Sequence, residues 1–174
     1  GKMCIDATKK VEEEQRGKIK NPDVTKVEID TTAIKAQFPE ISSIDTSLLK
    51  KGISIVSVAV EKKRKNHIKE LNKQLFNQPG LDQVKMILYV EDIVDAADIK
   101  DVVWRVSNNI DPRRDSFVVE GEDDQSISHI GLDGTRKTKE LDNFDREWPN
   151  IICADEETIK SVDEKWDRLG LGPF

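Results

Sequence analysis

Two apolar runs separated by an amphipathic stretch constrain the fold of this chain more than any other feature. Residues 53–60 (ISIVSVAV) and 84–90 (VKMILYV) are apolar and rich in β-branched side chains, which is typical of strands buried on both faces of a sheet. Between them, Ile68, Leu71 and Leu75 recur at helical spacing. A strand, a helix and a second strand at these lengths predict a right-handed crossover between parallel strands.

The alternation continues along the chain. Ile99, Val102, Val103 and Val106 predict a second amphipathic helix, and residues 116–120 (SFVVE) predict a third strand. We therefore expect an α/β fold in which a mainly parallel sheet carries helices on both faces.

A C-terminal amphipathic helix is predicted over residues 155–170. Asp155 is a suitable N-cap, and Gly170 is a suitable end. The apolar positions recur at steps of three, four and three residues: Ile159, Val162, Trp166 and Leu169. Such a helix either packs on its own domain, which is the simpler expectation, or reaches across to a neighbouring subunit.

Composition excludes several classes of protein. The 174 residues carry a net charge of −6, which argues against general nucleic-acid binding, because neutralising phosphates requires a clustered excess of Lys and Arg. The basic cluster at residues 61–65 is interpreted as a solvated helix start.

The longest apolar run, residues 52–60, is far shorter than the roughly 20 residues that span a membrane, so we expect a cytoplasmic protein without a transmembrane segment. Cys4 and Cys153, at opposite ends and without CxxC spacing, are interpreted as reduced thiols.

The sequence contains no catalytic motif. GxGxxG, Walker, GxSxG and HExxH patterns are absent, and no Ser or Cys nucleophile is spaced to form a relay with a histidine. His67 and His129 are therefore interpreted as ordinary surface or half-buried histidines, and no catalytic residue is assigned.

Candidate ligand-binding residues flank the second apolar run. Glu91, Asp92 and Asp95 follow it, where open α/β sheets bind ligands, and three carboxylates can hold a cation. Capping of the next helix explains the same residues and is the preferred interpretation. Lys85 enters the same strand, where an exposed strand edge explains it.

The charged turn that ends the second helix has two interpretations. Asp111 and Pro112 break the helix, and Asp111 and Asp115 flank Arg113 and Arg114 closely enough for charge-assisted hydrogen bonds. We favour a rigid joint between helix and strand, at a possible subunit contact, over a ligand site.

Five motifs in a fixed order carry a resemblance to a known family. They are VKMILYVED, DVVWRVSNNIDPRRD, IGLDGTRK, REWP and VDEKWDRLG. Together they resemble the C-terminal domain of the UbiD family of aromatic and polyprenyl-hydroxybenzoate decarboxylases. The resemblance divides the chain into an N-terminal extension or insertion, residues 1–52, and a UbiD-like C-terminal α/β domain, residues 53–174. The extension holds MCIDATKK, residues 3–10, which aligns without gaps with IGLDGTRK. Both a duplicated turn element and a coincidence explain this match.

The resemblance implies a role for the chain within a larger enzyme. UbiD-like enzymes bind prenylated FMN, with a divalent metal at its phosphate, in an upstream domain that no region of this chain matches. The resemblance makes Lys85 a candidate for contact with that flavin phosphate, although an exposed strand edge explains this lysine equally well. The chain is then an assembly and domain-packing portion without the catalytic domain, inactive alone and expected to hold no cofactor. Its partners would be the upstream flavin-binding domain of the same chain and further copies in a homo-oligomer. The substrates implied are aromatic acids such as polyprenyl-hydroxybenzoate in ubiquinone or menaquinone biosynthesis.

A second hypothesis assigns the chain to another class. It is a free-standing, non-enzymatic binding or regulatory module that keeps the fold, with any ligand at the strand ends near Asp92.

Overall fold

The computed structural model describes residues 6, 8, 9, 11–14, 22–123, 126–148, 154–170 and 172. The strands within them are β1 (Ile41–Asp45), β2 (Ile55–Val60), β3 (Met86–Glu91), β4 (Ser116–Val119) and β5 (His129–Asp133). The helices are α1 (Thr31–Gln37), α2 (His67–Leu75), α3 (Ile99–Asn109), α4 (Pro112–Asp115), α5 (Lys139–Asp142), α6 (Glu156–Asp163) and α7 (Trp166–Leu169). Short 3₁₀ turns lie at Glu12–Glu14, Val24–Lys26, Leu49–Lys51 and Leu81–Gln83. None of these helices is long and apolar enough to cross a membrane.

The strands form one mixed sheet in the order β1-β2-β3-β5-β4. The inner strands β2, β3 and β5 run parallel, whereas β1 and β4 pair antiparallel at the two edges. The α/β class is therefore confirmed, and the sheet is parallel only at its centre.

The predicted third strand exists as β4, but the expectation that it extends the parallel set is wrong. Residues 120–128 connect β4 to β5, and this connection is shorter than the crossover of about a dozen or more residues that parallel neighbours require. The chain therefore turns back, and β4 pairs antiparallel with β5 at the edge. The third parallel strand is β5, which lies beside β3.

The sheet separates two apolar cores. Successive residues of a strand point to opposite faces, so Val58 of β2 packs in one cluster with Leu71 of α2, while Ala59 packs in the other with Val102 of α3. All four side chains are almost completely buried. Each larger one contributes about 1.5–3 kcal/mol through burial, and the two inner runs are continuous because both faces are covered by helices.

The segment before residue 52 contributes to the first of these cores. Val24, Ile34 and Phe38 are buried in the same cluster as Val58, and β1 pairs with β2. The division of the chain at residue 52 stays a prediction about its domains. Most of the repeated element at residues 3–10 lies outside the described residues, as do Cys4 and Cys153.

The single C-terminal helix predicted over residues 155–170 is not confirmed. Asp155 caps α6 as predicted, with its carboxylate accepting a hydrogen bond from the Thr158 amide at 2.8 Å. The helix ends at Asp163, and a separate short helix, α7, follows. Among the described residues of this segment, Ile159, Val162 and Leu169 are exposed, and Trp166 is half-buried.

Candidate functional site

The charged turn between α3 and β4 forms the joint that the sequence predicts. The Asp111 carboxylate caps α4 by accepting hydrogen bonds from the amides of Arg113 and Arg114 at 3.0 and 3.2 Å. Pro112 occupies the first helical turn, where its missing N–H costs nothing. Arg114 donates two parallel hydrogen bonds to Asp115, at 2.8 and 2.6 Å. Because Asp115 is 1% exposed and also accepts from the Asp111 amide at 2.7 Å, the turn is rigid.

A second turn, at the end of β5, buries another pair of charges. The Asp133 carboxylate accepts hydrogen bonds from both the amide and the hydroxyl of Thr135. The Lys137 ammonium folds back over this turn and donates to the carbonyls of Asp133 and Thr135 at 2.9 and 2.8 Å. It also lies 3.0 Å from the Asp133 carboxylate. The pattern Asp-x-Thr-x-Lys thus builds a closed, self-satisfied turn.

The two turns meet in one group of charges, here called the ionic cluster: Arg114, Asp115, Asp133 and Lys137. The Lys137 ammonium lies 3.6 Å from the Asp115 carboxylate, with both side chains 1% exposed. Burial lowers the pKa of Lys137, while the negative charges of Asp133 and Asp115 oppose that shift. Two cations balance two anions, so the cluster is neutral.

The four charged side chains of the cluster are engaged with one another and with the backbone. Among the described residues, no buried side-chain nitrogen or oxygen lacks a hydrogen-bond partner. These contacts account for the charges structurally, so the geometry favours the joint over a reactive centre. Sequence reasoning identified Arg114 and Asp115 but missed Asp133, Thr135 and Lys137. The sequence feature that could have identified these three residues is the alignment of residues 3–10 with residues 130–137, which share the Asp, the Thr and the basic pair.

A cleft of about 550 Å³ opens beside the ionic cluster and is here called the basic cleft. It lies between α2 on one side and α4, β4 and α5 on the other. Lys62 closes one part of its wall with an ion pair to Asp142 at 2.8 Å, and both side chains are mostly buried. The Lys62 ammonium also donates to the Arg136 carbonyl at 2.6 Å. The sequence does not predict this cleft, because the basic cluster at residues 61–65 is typical of a solvated helix start.

The acidic tip of β3, which comprises Glu91, Asp92 and Asp95, does not form a cluster of carboxylates that could share one cation. Glu91 lies 3.7 Å from Arg105, and Asp95 accepts a hydrogen bond from the Ala97 amide at 2.9 Å. Asp92 is exposed. The described part of the chain contains no group of three or more His, Cys, Asp or Glu side chains that could hold a metal ion.

Helix capping accounts for the acidic residues after β3 in a modified form. The N-cap of α3 is Asp98, whose carboxylate accepts from the amides of Lys100 and Asp101 at 3.0 and 3.3 Å. Asp95 instead closes the turn that precedes the helix, so of the two aspartates at the predicted helix start it is Asp98 that caps α3.

Lys85 lies at the other end of β3 from the acidic tip. Its side chain is exposed, its amide donates to the Ser54 hydroxyl at 2.9 Å, and its carbonyl accepts from the Ile130 amide at 2.8 Å. A strand of this length separates its two ends by roughly 20 Å, so Lys85 and Glu91 cannot share a ligand. The described residues around them do not form a site that fits a flavin phosphate or its metal ion, and we assign no cofactor chemistry to them.

Both histidines are occupied by structural hydrogen bonds. His67 is 1% exposed, accepts from the Lys63 amide at Nδ1, and lies 3.0 Å from the Glu40 carboxylate through Nε2. The pKa of Glu40 is lowered: burial acts to raise it but is outweighed by hydrogen bonds from its own backbone and from His67. His129 lies 2.7 Å from the Val84 carbonyl. His67 is therefore fully buried, unlike the surface or half-buried histidine that the sequence predicts, and both rings have hydrogen-bond partners within the fold.

A family model and curated relatives match most of this chain. The model for the 3-octaprenyl-4-hydroxybenzoate carboxy-lyase C-terminal domain matches residues 25–139. An uncharacterized protein of Aquifex aeolicus is 31% identical over 149 residues, which covers 79% of this chain and 30% of that protein. One of Archaeoglobus fulgidus is 25% identical over 146 residues, which covers 78% of this chain and 30% of that protein. The chain therefore spans less than a third of these relatives.

Solved structures share the fold. Vanillic acid decarboxylase of Sedimentibacter hydroxybenzoicus, in its open form, superposes with a TM-score of 0.63 at 16% identity, covering 81% of this chain and 32% of that one. The UbiD-class enzyme HmfF from Pelotomaculum thermopropionicum, in complex with FMN, superposes with a TM-score of 0.58 at 18% identity, covering 76% of this chain and 31% of that one. At these identities the likeness concerns the fold alone.

Proposed function

The chain belongs to the family of 3-octaprenyl-4-hydroxybenzoate carboxy-lyase C-terminal domains, and on that premise we propose that it is the assembly and domain-packing part of a larger UbiD-like decarboxylase. One observation carries the proposal. Three apolar side chains of α6 and α7 are exposed: Ile159 by 48%, Val162 by 40% and Leu169 by 51%. A helical segment with exposed apolar side chains on one face favours contact with another surface.

The free energy available from burying this segment is enough to add to a larger contact but not to form a stable interface alone. Fully burying one such side chain contributes about 1.5–3 kcal/mol, so covering the exposed half of three contributes roughly 2–4 kcal/mol per chain. This is too little for a stable interface alone, which buries about 800 Å² per partner. The segment therefore acts together with a larger contact, such as one with the upstream domain of the same protein or with further copies.

The chemistry of the whole protein follows from the same proposal. Prenylated FMN and its divalent metal would be held by the upstream domain, and an aromatic acid, with polyprenyl-hydroxybenzoate as one candidate in quinone biosynthesis, would lose CO₂ there. The family's description as a carboxy-lyase supports this, as does the fold shared with a vanillic acid decarboxylase. We expect the chain alone neither to bind flavin tightly nor to decarboxylate.

Sedimentation velocity over a wide range of protein concentration tests the assembly role. We expect self-association that Ile159→Asp weakens at least tenfold in dissociation constant, because the interface would have to bury a charge. Ile53→Asp, at an exposed apolar residue outside α6 and α7, is the matched control and should leave self-association unchanged. A chain that stays monomeric throughout and releases CO₂ from an aromatic acid would overturn the proposal.

One observation favours the second candidate function, a binding or regulatory module. The basic cleft is concave and of ligand size, although it lies beside α2 and not at the strand ends near Asp92.

A further inference from the structure

The basic cleft concentrates positive charge in an acidic protein. The whole chain carries a net charge of −6. Six cationic side chains nevertheless line the cleft: Lys62, Lys65, Lys69, Lys73, Arg113 and Arg114. Only three carboxylates line it with them, those of Asp115, Asp133 and Asp142. The local excess of positive charge therefore runs against the overall composition.

All three carboxylates of the cleft are already engaged. Asp142 pairs with Lys62 at 2.8 Å. Asp115 pairs with Arg114 at 2.6 Å, and Asp133 pairs with Lys137 from behind the cleft at 3.0 Å. They have little capacity left to neutralise the other cations.

Four cations of the cleft form no ion pair with a carboxylate of the described residues. Within the described part of the chain, no carboxylate lies within ion-pair distance of Lys65, Lys69, Lys73 or Arg113. Lys69 and Lys73 are four residues apart on α2, so they are neighbours on one helix face and repel each other. An anion that binds between them and Arg113 relieves this repulsion.

We propose that the basic cleft binds a small phosphate-bearing anion. Its volume of about 550 Å³ lies within the range of about 300–1,000 Å³ that is usual for small-molecule sites. Lysine ammonium groups and an arginine guanidinium converging on one concavity are suited to a multiply charged phosphate. An acidic peptide would instead require cations spread along an extended strip.

The other walls of the cleft suit such a ligand. Phe117 and Val118 of β4 provide apolar surface against which a non-phosphate part of the ligand can pack. Asn66, at the start of α2, makes no side-chain capping hydrogen bond. The His67 and Glu70 amides donate to backbone carbonyls, which leaves the amides of Ile68 and Lys69 to add to the cationic side chains as donors. The inference stands on the cations and is independent of the assembly role proposed above.

Calorimetric titration of the whole chain with pyrophosphate, at constant ionic strength, tests the inference. We expect saturable binding at one site. Lys69→Gln combined with Lys73→Gln should weaken it at least tenfold. The matched control combines Lys50→Gln with Lys51→Gln, two exposed lysines outside the cleft, and should change it by less than twofold.

Several results would overturn the proposal. These are the absence of saturable binding, equal weakening by both lysine pairs, citrate binding as tightly as pyrophosphate, and a poly-glutamate peptide binding more tightly than either. Circular dichroism melting checks that the variants fold. If the Lys69 and Lys73 variant does not fold, Arg113→Gln provides the same test, because that exposed guanidinium caps nothing and pairs with no described carboxylate.

Discussion

Replacing Lys137 with methionine tests whether the ionic cluster stabilises the fold. Methionine keeps most of the apolar stem and removes the ammonium, which lies 3.0 Å from the Asp133 carboxylate and donates to two backbone carbonyls. Asp115 keeps its two hydrogen bonds from Arg114. The main consequence is therefore one buried carboxylate, Asp133, that loses its cation.

The structure sets the expected magnitude. Removing one partner of a buried ion pair costs about 3–5 kcal/mol, because the other charge stays buried without compensation. Lys137 and Asp133 are 1% and 6% exposed, so solvent does not screen the pair. A domain of ordinary stability, about 5–15 kcal/mol, would lose a large fraction of its free energy of unfolding.

Urea denaturation at neutral pH measures the loss, with Lys139→Met as the matched control. Lys139 is 75% exposed and pairs with an equally exposed Asp145, so its loss should change stability by less than about 0.5 kcal/mol. Adding Asp133→Asn to Lys137→Met removes the orphaned charge and should restore at least about 1 kcal/mol. A loss below about 1 kcal/mol in the single variant, or no recovery in the double variant, would refute the electrostatic account.

Two further predictions concern a close approach and an acid titration. Gly131→Ala would bring its Cβ within 2.0 Å of the Asn72 side-chain oxygen, which accepts a hydrogen bond from the buried Tyr89 hydroxyl. Thermal unfolding should therefore show a decrease of about 1–3 kcal/mol in the free energy of unfolding. An unchanged melting temperature would contradict this close packing. A hydrogen bond from the Thr25 hydroxyl is the largest cause that lowers the pKa of Asp23 to about 2. This carboxylate therefore contributes stability above pH 3.8, which is lost as the pH falls through 2. Thr25→Val should raise the pKa of Asp23 towards 3.8 in an NMR pH titration, and an unchanged pKa would assign the effect to Lys26.

The sequence predicts the inner part of the fold because burial on both faces leaves a direct trace. A run such as residues 53–60 has no polar alternation, and only a strand with helices on both faces can bury it. The start of the charged turn was predictable for a similar reason, since Pro112 restricts the backbone locally. Both inferences depend on neighbours in sequence.

Strand β5 and the ionic cluster leave a weaker trace: the sequence predicts a strand beside His129, but not its place in the sheet or the burial of the charges that follow it. Gly131 lies in the strand because Asn72 packs against it, and a glycine on its own argues against a strand. Asp133 and Lys137 resemble ordinary loop residues in sequence, since charged residues are rarely buried. Their partner Asp115 lies on a different strand connection, so only the tertiary fold reveals that these charges are buried together.

The lysines around β5 show how one residue type takes opposite roles in this fold. Lys137 is buried because two carboxylates and two carbonyls surround it. Lys69 and Lys73 instead line the cleft and form no ion pair with a described carboxylate. The two arrangements depend on each other. Arg114 pairs with Asp115, and Lys137 pairs with Asp133. These two carboxylates are therefore not available to neutralise the other cations of the cleft. The cluster that rigidifies the joint between α4 and β4 is thus also the reason that the neighbouring cleft remains positive.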